Sequence, residues 1–257
     1  TYEPGSIFKM VTATAALETK VVSLDDTFTC QGATVVSDRR IRCHKTTGHG
    51  TQDFTHTVYN SCNPAFVEWG RRVGVDNMYL YMGKLGLLSK TGIDLSGEAG
   101  TIIHKKENVG AVELATMSFG QSFQITPVQM LRATSAIING GKLVTPHFGM
   151  YTSTSDGSVV NEFAYSSTEA AIELDTSAKM KTILEGVVSE GGGTKACIEG
   201  YSIGGKTATS QKLPRGSGKY ISSFIGFAPA DNPQVIAMCL IDEPTGVYYG
   251  GTIAAPV

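Results

Sequence analysis

The chain predicts a mixed α/β (α+β) domain, helices first and an antiparallel sheet last, and three observations predict it. Residues 6–18 form an almost continuously apolar run without Gly or Pro, the pattern of a buried helix. Helical patterns bounded by Asn, Thr, Pro and Gly signals then recur as far as residue 188. Beyond residue 200 the period drops to two, and 201–209, 222–230 and 234–242 read as three successive strands of an antiparallel meander.

In order, Pro4-Gly5 makes a turn that delivers Ser6 to the first helix. Residues 21–57 are polar and turn-rich, with alternating fragments at 33–36 and 39–43 that suit a small hairpin. Asn60-Ser61-Cys62-Asn63-Pro64 separates two helical patterns, with Asn63 as N-cap and Pro64 as first residue of a helix to about 73. Ser61 and Asn63 then project from a fixed elbow. A helix over 76–85 ends at Gly86, 91–103 is a Gly-rich connection, and 109–117 is a further short helix. Thr126-Pro127 opens a helix to about 139, 143–167 is loop and short strand, and Asp175 caps a helix over 175–188.

At 257 residues, 41% apolar and 17% charged, the chain suits one large core, or one core with a small lobe. A net charge of -2 without a basic stripe excludes nucleic-acid binding by bulk electrostatics. No 18-residue apolar segment spans a membrane, and no signal peptide is evident. Five cysteines, three of them before residue 63, are too sparse for a disulfide scaffold.

Ser6 and Lys9 form an S-x-x-K pair one helical turn apart, so a neutral amine can take the serine proton. An isolated S-x-x-K more often joins an N-cap to a solvated lysine. Here Met10, Ala13 and Ala16 surround Lys9 with apolar groups. Lowering its pKa from about 10.4 to neutrality asks burial and nearby cations for about 4 to 5 kcal/mol. A second lysine would help, and the strand Gly204-Gly205-Lys206-Thr207-Ala208-Thr209 supplies one. On a strand Lys206 and Ala208 share one face, Thr207 and Thr209 the other.

S-x-x-K at Ser6 and Lys9, S-x-N at Ser61 and Asn63, and the Lys206-Thr207-Ala208-Thr209 strand together resemble the penicillin-binding protein and serine β-lactamase superfamily. The flanks Tyr2-Glu3-Pro4-Gly5-Ser6, Ser118-Phe119-Gly120-Gln121, Phe224-Ile225-Gly226-Phe227-Ala228-Pro229 and Tyr249-Gly250-Gly251 are similar to class B members, the division and sporulation transpeptidases nearest. The resemblance implies the penicillin-binding transpeptidase fold, an antiparallel sheet flanked by helices with an all-helical lobe. It implies one transpeptidase domain over 1–257, cut at both ends, with a membrane anchor and pedestal domain upstream at the extracytoplasmic face of a bacterial membrane.

The same resemblance implies that Ser6 attacks peptidoglycan stem peptides with Lys9 as base, and that β-lactams acylate it. Ser61 relays a proton, Asn63 holds the substrate amide, Lys206 tunes Ser61, and Thr207 and Thr209 receive the terminal carboxylate. No cofactor is implied for catalysis, and a membrane glycosyltransferase is the implied partner. Two non-transpeptidase readings stand beside it, a β-lactam sensor or scaffold and a β-lactamase, though no class A Glu-x-x-x-Asn loop is evident.

Two features depart from the family pattern. Ala208 replaces the usual Gly and adds a methyl where strand meets helix, which would set the strand outward and slow acylation. Cys30, Cys43, His44, His49 and Asp53 crowd one loop as C-x12-C-H-x4-H followed by a carboxylate. This set suits a structural zinc, a Cys30–Cys43 disulfide of an exported protein, or unlinked residues. Cys43 and His44 face opposite ways on an extended chain, so in the zinc reading Asp53 is a candidate for the fourth ligand.

Overall fold

The structure is a computed structural model and describes residues 1–168 and 171–257. A 3-10 turn at Gly5–Phe8 leads into α1 (Lys9–Glu18), in which every residue from Lys9 to Leu17 is buried. A helix with no solvated face must be enclosed on all sides. The remaining elements are arranged to do so.

β1 (Thr27–Cys30) pairs with β4 (Gly50–Asp53) and brackets the hairpin of β2 (Ala33–Val36) and β3 (Arg39–Arg42). The expected hairpin is present; the outer β1–β4 pairing, which joins segments 20 residues or more apart in register, carries no local turn signal. α2 (Phe54–Tyr59) starts on the Asp53 side chain, which accepts from His56 N. α3 (Asn63–Lys84) is interrupted at Gly74, whose φ of +76° and ψ of 166° are not helical, so it consists of the two predicted helices on either side of that residue. Trp69 on α3 is fully buried against Phe54 and donates its indole N–H to Thr57 Oγ1 at 3.1 Å.

α4 (Ala111–Met117) and α5 (Pro127–Ile138) follow, α5 opened by a capping box between Thr126 and Gln129. β5 (Leu143–Val144) and β8 (Ser167–Thr168) form one short ladder, β6 (Tyr151–Ser153) and β7 (Val159–Glu162) another. α6 (Leu174–Ser189) takes Glu173 rather than Asp175 as N-cap; neither cap position makes a side-chain cap bond that would favour it. β9 (Gly204–Gln211), β10 (Tyr220–Ala228) and β11 (Val235–Asp242) form the predicted meander in the order β11-β10-β9, and α7 (Gly250–Ile253) lies against it.

α1 packs against α3, α5 and α6, while β9 packs on α6 and on the turn before α1. The sheet's edge strand is thereby placed directly beside Ser6. Thr12 Oγ1 donates to Ser118 O at 2.8 Å, a buried link from α1 to the end of α4. No helix among the described residues is long and apolar enough to cross a membrane.

The turn before α1 is clamped by Gly120, whose φ is +84° and where an added Cβ would lie 2.0 Å from Gly5 O. A rigid backbone atom at that distance cannot yield cheaply. Gly120→Ala is therefore expected to cost about 3 kcal/mol or more, and Gly97→Ala, with φ +86° but open space around it, only about 1 kcal/mol. Denaturant unfolding of the two variants checks the difference.

Candidate active site

Ser6 lies in the 3-10 turn, and Lys9 is the first residue of α1. Lys9 is fully buried, its Nζ 5.3 Å from the centre of the Phe66 ring. That amine donates to Ser61 O at 2.6 Å and to Asn63 Oδ1 at 2.6 Å, and lies 3.1 Å from Ser61 Oγ. Lys206, on β9 and 1% exposed, reaches the same Ser61 Oγ at 2.9 Å and donates to Thr207 O at 3.2 Å. One hydroxyl is thus shared by two buried lysines. The expected Ser6–Lys9 hydrogen bond is not made in this arrangement, because the elbow oxygens hold the amine; the i, i+3 spacing still keeps both groups at the head of α1.

Burial drives the Lys9 pKa well below the usual lysine range, and the Lys206 charge lowers it further, against smaller opposing effects of Cys62 and Cys43. Burial also lowers Lys206, to about 7. Two causes thus act on Lys9, burial and a neighbouring cation, and burial alone on Lys206. This is the division of labour that a base beside a cation requires.

The elbow is built one residue differently from the sequence expectation. Cys62 is the N-cap of α3 and Asn63 its first residue, so Pro64 is the second. Asn63 does not cap because its side chain is engaged elsewhere, its oxygen by Lys9 and its Nδ2 donating to Arg42 O at 3.2 Å. Ser61 has a left-handed backbone, φ +48°, a strained state for a non-glycine residue. Cys62 N donates to Thr57 O at 3.0 Å and helps to hold it.

β9 is one of the two edge strands of its three-stranded sheet among the described residues, so one row of its backbone groups faces away from β10. Thr207, Ala208 and Thr209 line an open cleft together with Ser6, Ser61 and Asn63. Ala208 is 3% exposed, and its methyl lies near Gly5, where an added Cβ would sit 3.7 Å away. The missing side chain of Gly5 makes room for it, and Lys206 still reaches Ser61. The far wall holds Glu190, Lys195, Tyr220, Tyr248 and Tyr249, with Tyr220 and Tyr248 stacked at 4.0 Å. The Tyr248-Tyr249 pair preceding Gly250-Gly251 was the available signal for this wall.

The loop ligands assemble differently from the expected set. Cys30 Sγ, Cys43 Sγ, Cys62 Sγ and one ring nitrogen of His49 all lie within 4.8 Å of one another. Asp53 is excluded because its carboxylate caps α2 and binds His56 Nδ1 at 2.8 Å. His44 is exposed and lines the cleft instead. Cys62 was missed as a ligand because it lies outside the loop, and its position inside S-x-N drew attention to the neighbouring side chains. Cys30 and Cys43 are free thiols, with no disulfide between them.

The family described as "Penicillin binding protein transpeptidase domain" matches residues 1–257. The chain is 44% identical over 263 residues to stage V sporulation protein D of Bacillus subtilis, covering 100% of this chain and 41% of that protein. It is 30% identical over 264 residues to the probable peptidoglycan D,D-transpeptidase PenA of Neisseria flavescens, covering 99% and 62%. The chain thus spans between two fifths and about three fifths of these relatives' lengths. Penicillin binding protein 3 of Mycobacterium tuberculosis complexed with aztreonam superposes with a TM-score of 0.88 at 29% identity, covering 99% of this chain and 60% of that one. Sequence, fold and the clustering of Ser6, Lys9, Ser61, Asn63 and Lys206 lead to one assignment: the chain belongs to the penicillin-binding protein transpeptidase domain family.

Proposed function

We propose that this domain is a serine D,D-transpeptidase of peptidoglycan cross-linking, acylated by β-lactams. The observation that carries this reading is the Lys9–Ser61–Lys206 network beside Ser6 and an edge strand. Ser6 Oγ attacks the penultimate D-alanine carbonyl and its proton passes to the neutral Lys9 amine. The peptide C–N bond breaks, the departing D-alanine amine takes a proton through Ser61, and an ester remains on Ser6. An amine of a second stem then attacks that ester and restores the serine hydroxyl.

The backbone N–H groups of Ser6 and Thr209 form the oxyanion hole, a donor of this kind supplying about 2.7 to 4 kcal/mol. Asn63 holds the substrate amide, Lys206 tunes Ser61 through its hydrogen bond to that hydroxyl, and Thr207 and Thr209 receive the terminal carboxylate. The substrate places the activity at the extracytoplasmic face of a bacterial membrane, with a membrane glycosyltransferase as partner. The 44% identity to a sporulation protein favours sporulation over division as the setting.

We further propose that Cys30, Cys43, His49 and Cys62 bind one structural zinc. A tetrahedral site with Zn–S of about 2.3 Å and Zn–N of about 2.0 Å has edges of about 3.5 to 3.8 Å. The Cys43 Sγ to His49 Nδ1 separation is 3.5 Å. Such an ion would anchor Cys62 between Ser61 and Asn63 without taking part in the chemistry.

Three outcomes are expected. Incubation with a penicillin gives a one-equivalent adduct by intact mass that Ser6→Ala abolishes; an adduct that hydrolyses rapidly would instead support the β-lactamase reading. The acylation rate rises with pH as Lys9 loses its proton and falls through about 7 as Lys206 loses its own. Lys206→Arg, charged throughout this range, removes the falling limb of the profile. Protein purified without added metal contains one zinc per chain, which His49→Ala and Cys62→Ala lose and Asp53→Ala retains; cobalt substitution adds thiolate-to-metal absorption. Absence of metal, or its loss in Asp53→Ala, would refute this ligand set.

A further inference from the structure

Arg215 lies outside the cleft, in the loop between β9 and β10, and bridges two segments that meet behind Ser6. Its Nη2 donates to Glu3 Oε2 at 2.5 Å and its Nη1 to Gln211 O. Glu3 is only 9% exposed and stands three residues before Ser6. Gln211 is the last residue of β9 and stands two residues after Thr209. One planar guanidinium is therefore bonded both to the turn that carries the nucleophile and to the strand that carries Thr209.

Other contacts make this bridge a rigid one. Glu3 Oε1 accepts from Ser122 N at 3.0 Å, and Tyr2 exchanges backbone hydrogen bonds with Ile125, so the turn is fixed on its far side. The loop's base is closed by Lys212 N donating to Lys219 O at 2.9 Å. Lys212 also pairs with Asp242 and Glu243, and Lys219 with Glu243, at the end of β11. Arg215 adds the attachment on the opposite side. Between the two bridged points β9 touches the turn directly, since a Cβ on Gly5 would lie 2.0 Å from Ser210 Oγ.

We propose that Arg215, through Glu3 and Gln211, is a positioning residue that sets the spacing of the Ser6 and Thr209 N–H groups, the two donors of the oxyanion hole. The inference rests on the transpeptidase reading above. Such a hole acts on charge that develops in the transition state, so its spacing governs the chemical step more than ground-state binding. A misplacement below 1 Å is enough to matter. Arg suits this role because its planar fork serves two acceptors at once, which a lysine ammonium at the same place does not reproduce.

The test is stopped-flow acylation by a penicillin, separating the acylation rate constant from the dissociation constant of the non-covalent complex. Arg215→Ala is expected to lower the rate constant about tenfold and to leave the dissociation constant within about twofold. Arg215→Lys stays close to the alanine variant. Glu3→Gln slows the same step, and the double variant is no slower than the slower single one, since both break one bridge. An unchanged rate constant in Arg215→Ala, a loss confined to the dissociation constant, or independent multiplying losses would overturn the proposal. Wild-type protein that is not acylated at all would overturn the transpeptidase reading itself.

Discussion

The constraint on which the rest depends is the burial of two lysine amines around one serine hydroxyl. Lys9 is fully buried and Lys206 nearly so, and among the described residues neither is paired with a carboxylate. Two unpaired buried cations would each cost several kcal/mol. Keeping Lys9 neutral removes one of them. The other, Lys206, lies just behind Thr207 of the cleft wall, where an anionic substrate would supply the missing counter-ion. The cost of desolvating the site is thus what makes one amine basic and leaves the other attractive to a carboxylate.

This arrangement needs a scaffold that does not relax, because water reaching either amine would return its pKa to the ordinary range. α1 provides it by being buried on every side, enclosed by α3, α5 and α6. A rigid helix alone would not suffice, since Ser61 reaches the lysines from a backbone with φ +48°. Its strain persists because neighbours on both sides fix it: Asn60 N is bound to His56 O before it, and Cys62 N to Thr57 O and Asn63 Nδ2 to Arg42 O after it. The polar segment before α2 therefore shapes the catalytic elbow although it contributes little core.

Much of this was legible because its causes are local. S-x-x-K places two groups at one helix end, a period of two puts Lys206 and Ala208 on one face, and Thr126-Pro127 announces a capped helix. Errors arose where a distant partner outbid a local preference. Asn63 has the propensity of an N-cap, but a lysine 54 residues away takes its oxygen. Asp53 failed in the opposite sense: it looked like a metal ligand, and the nearest free helix N–H and His56 claimed it first. β1 and β4 have no turn between them to mark their pairing, and Cys62 reaches Cys30 and Cys43 only through the tertiary fold.

The thiol cluster gains its meaning from the same comparison. In residues 21–53 the buried apolar side chains are Val22, Cys30, Ile41 and Cys43, too few to hold a segment of this length by hydrophobic burial. Two of those four belong to the cluster, and a third member, Cys62, stands between Ser61 and Asn63. A zinc ion there would replace the missing core with metal–ligand bonds and join the loop to α3 at the residue next to the shared hydroxyl. Stability of the loop and geometry of the proton relay would then be one property rather than two.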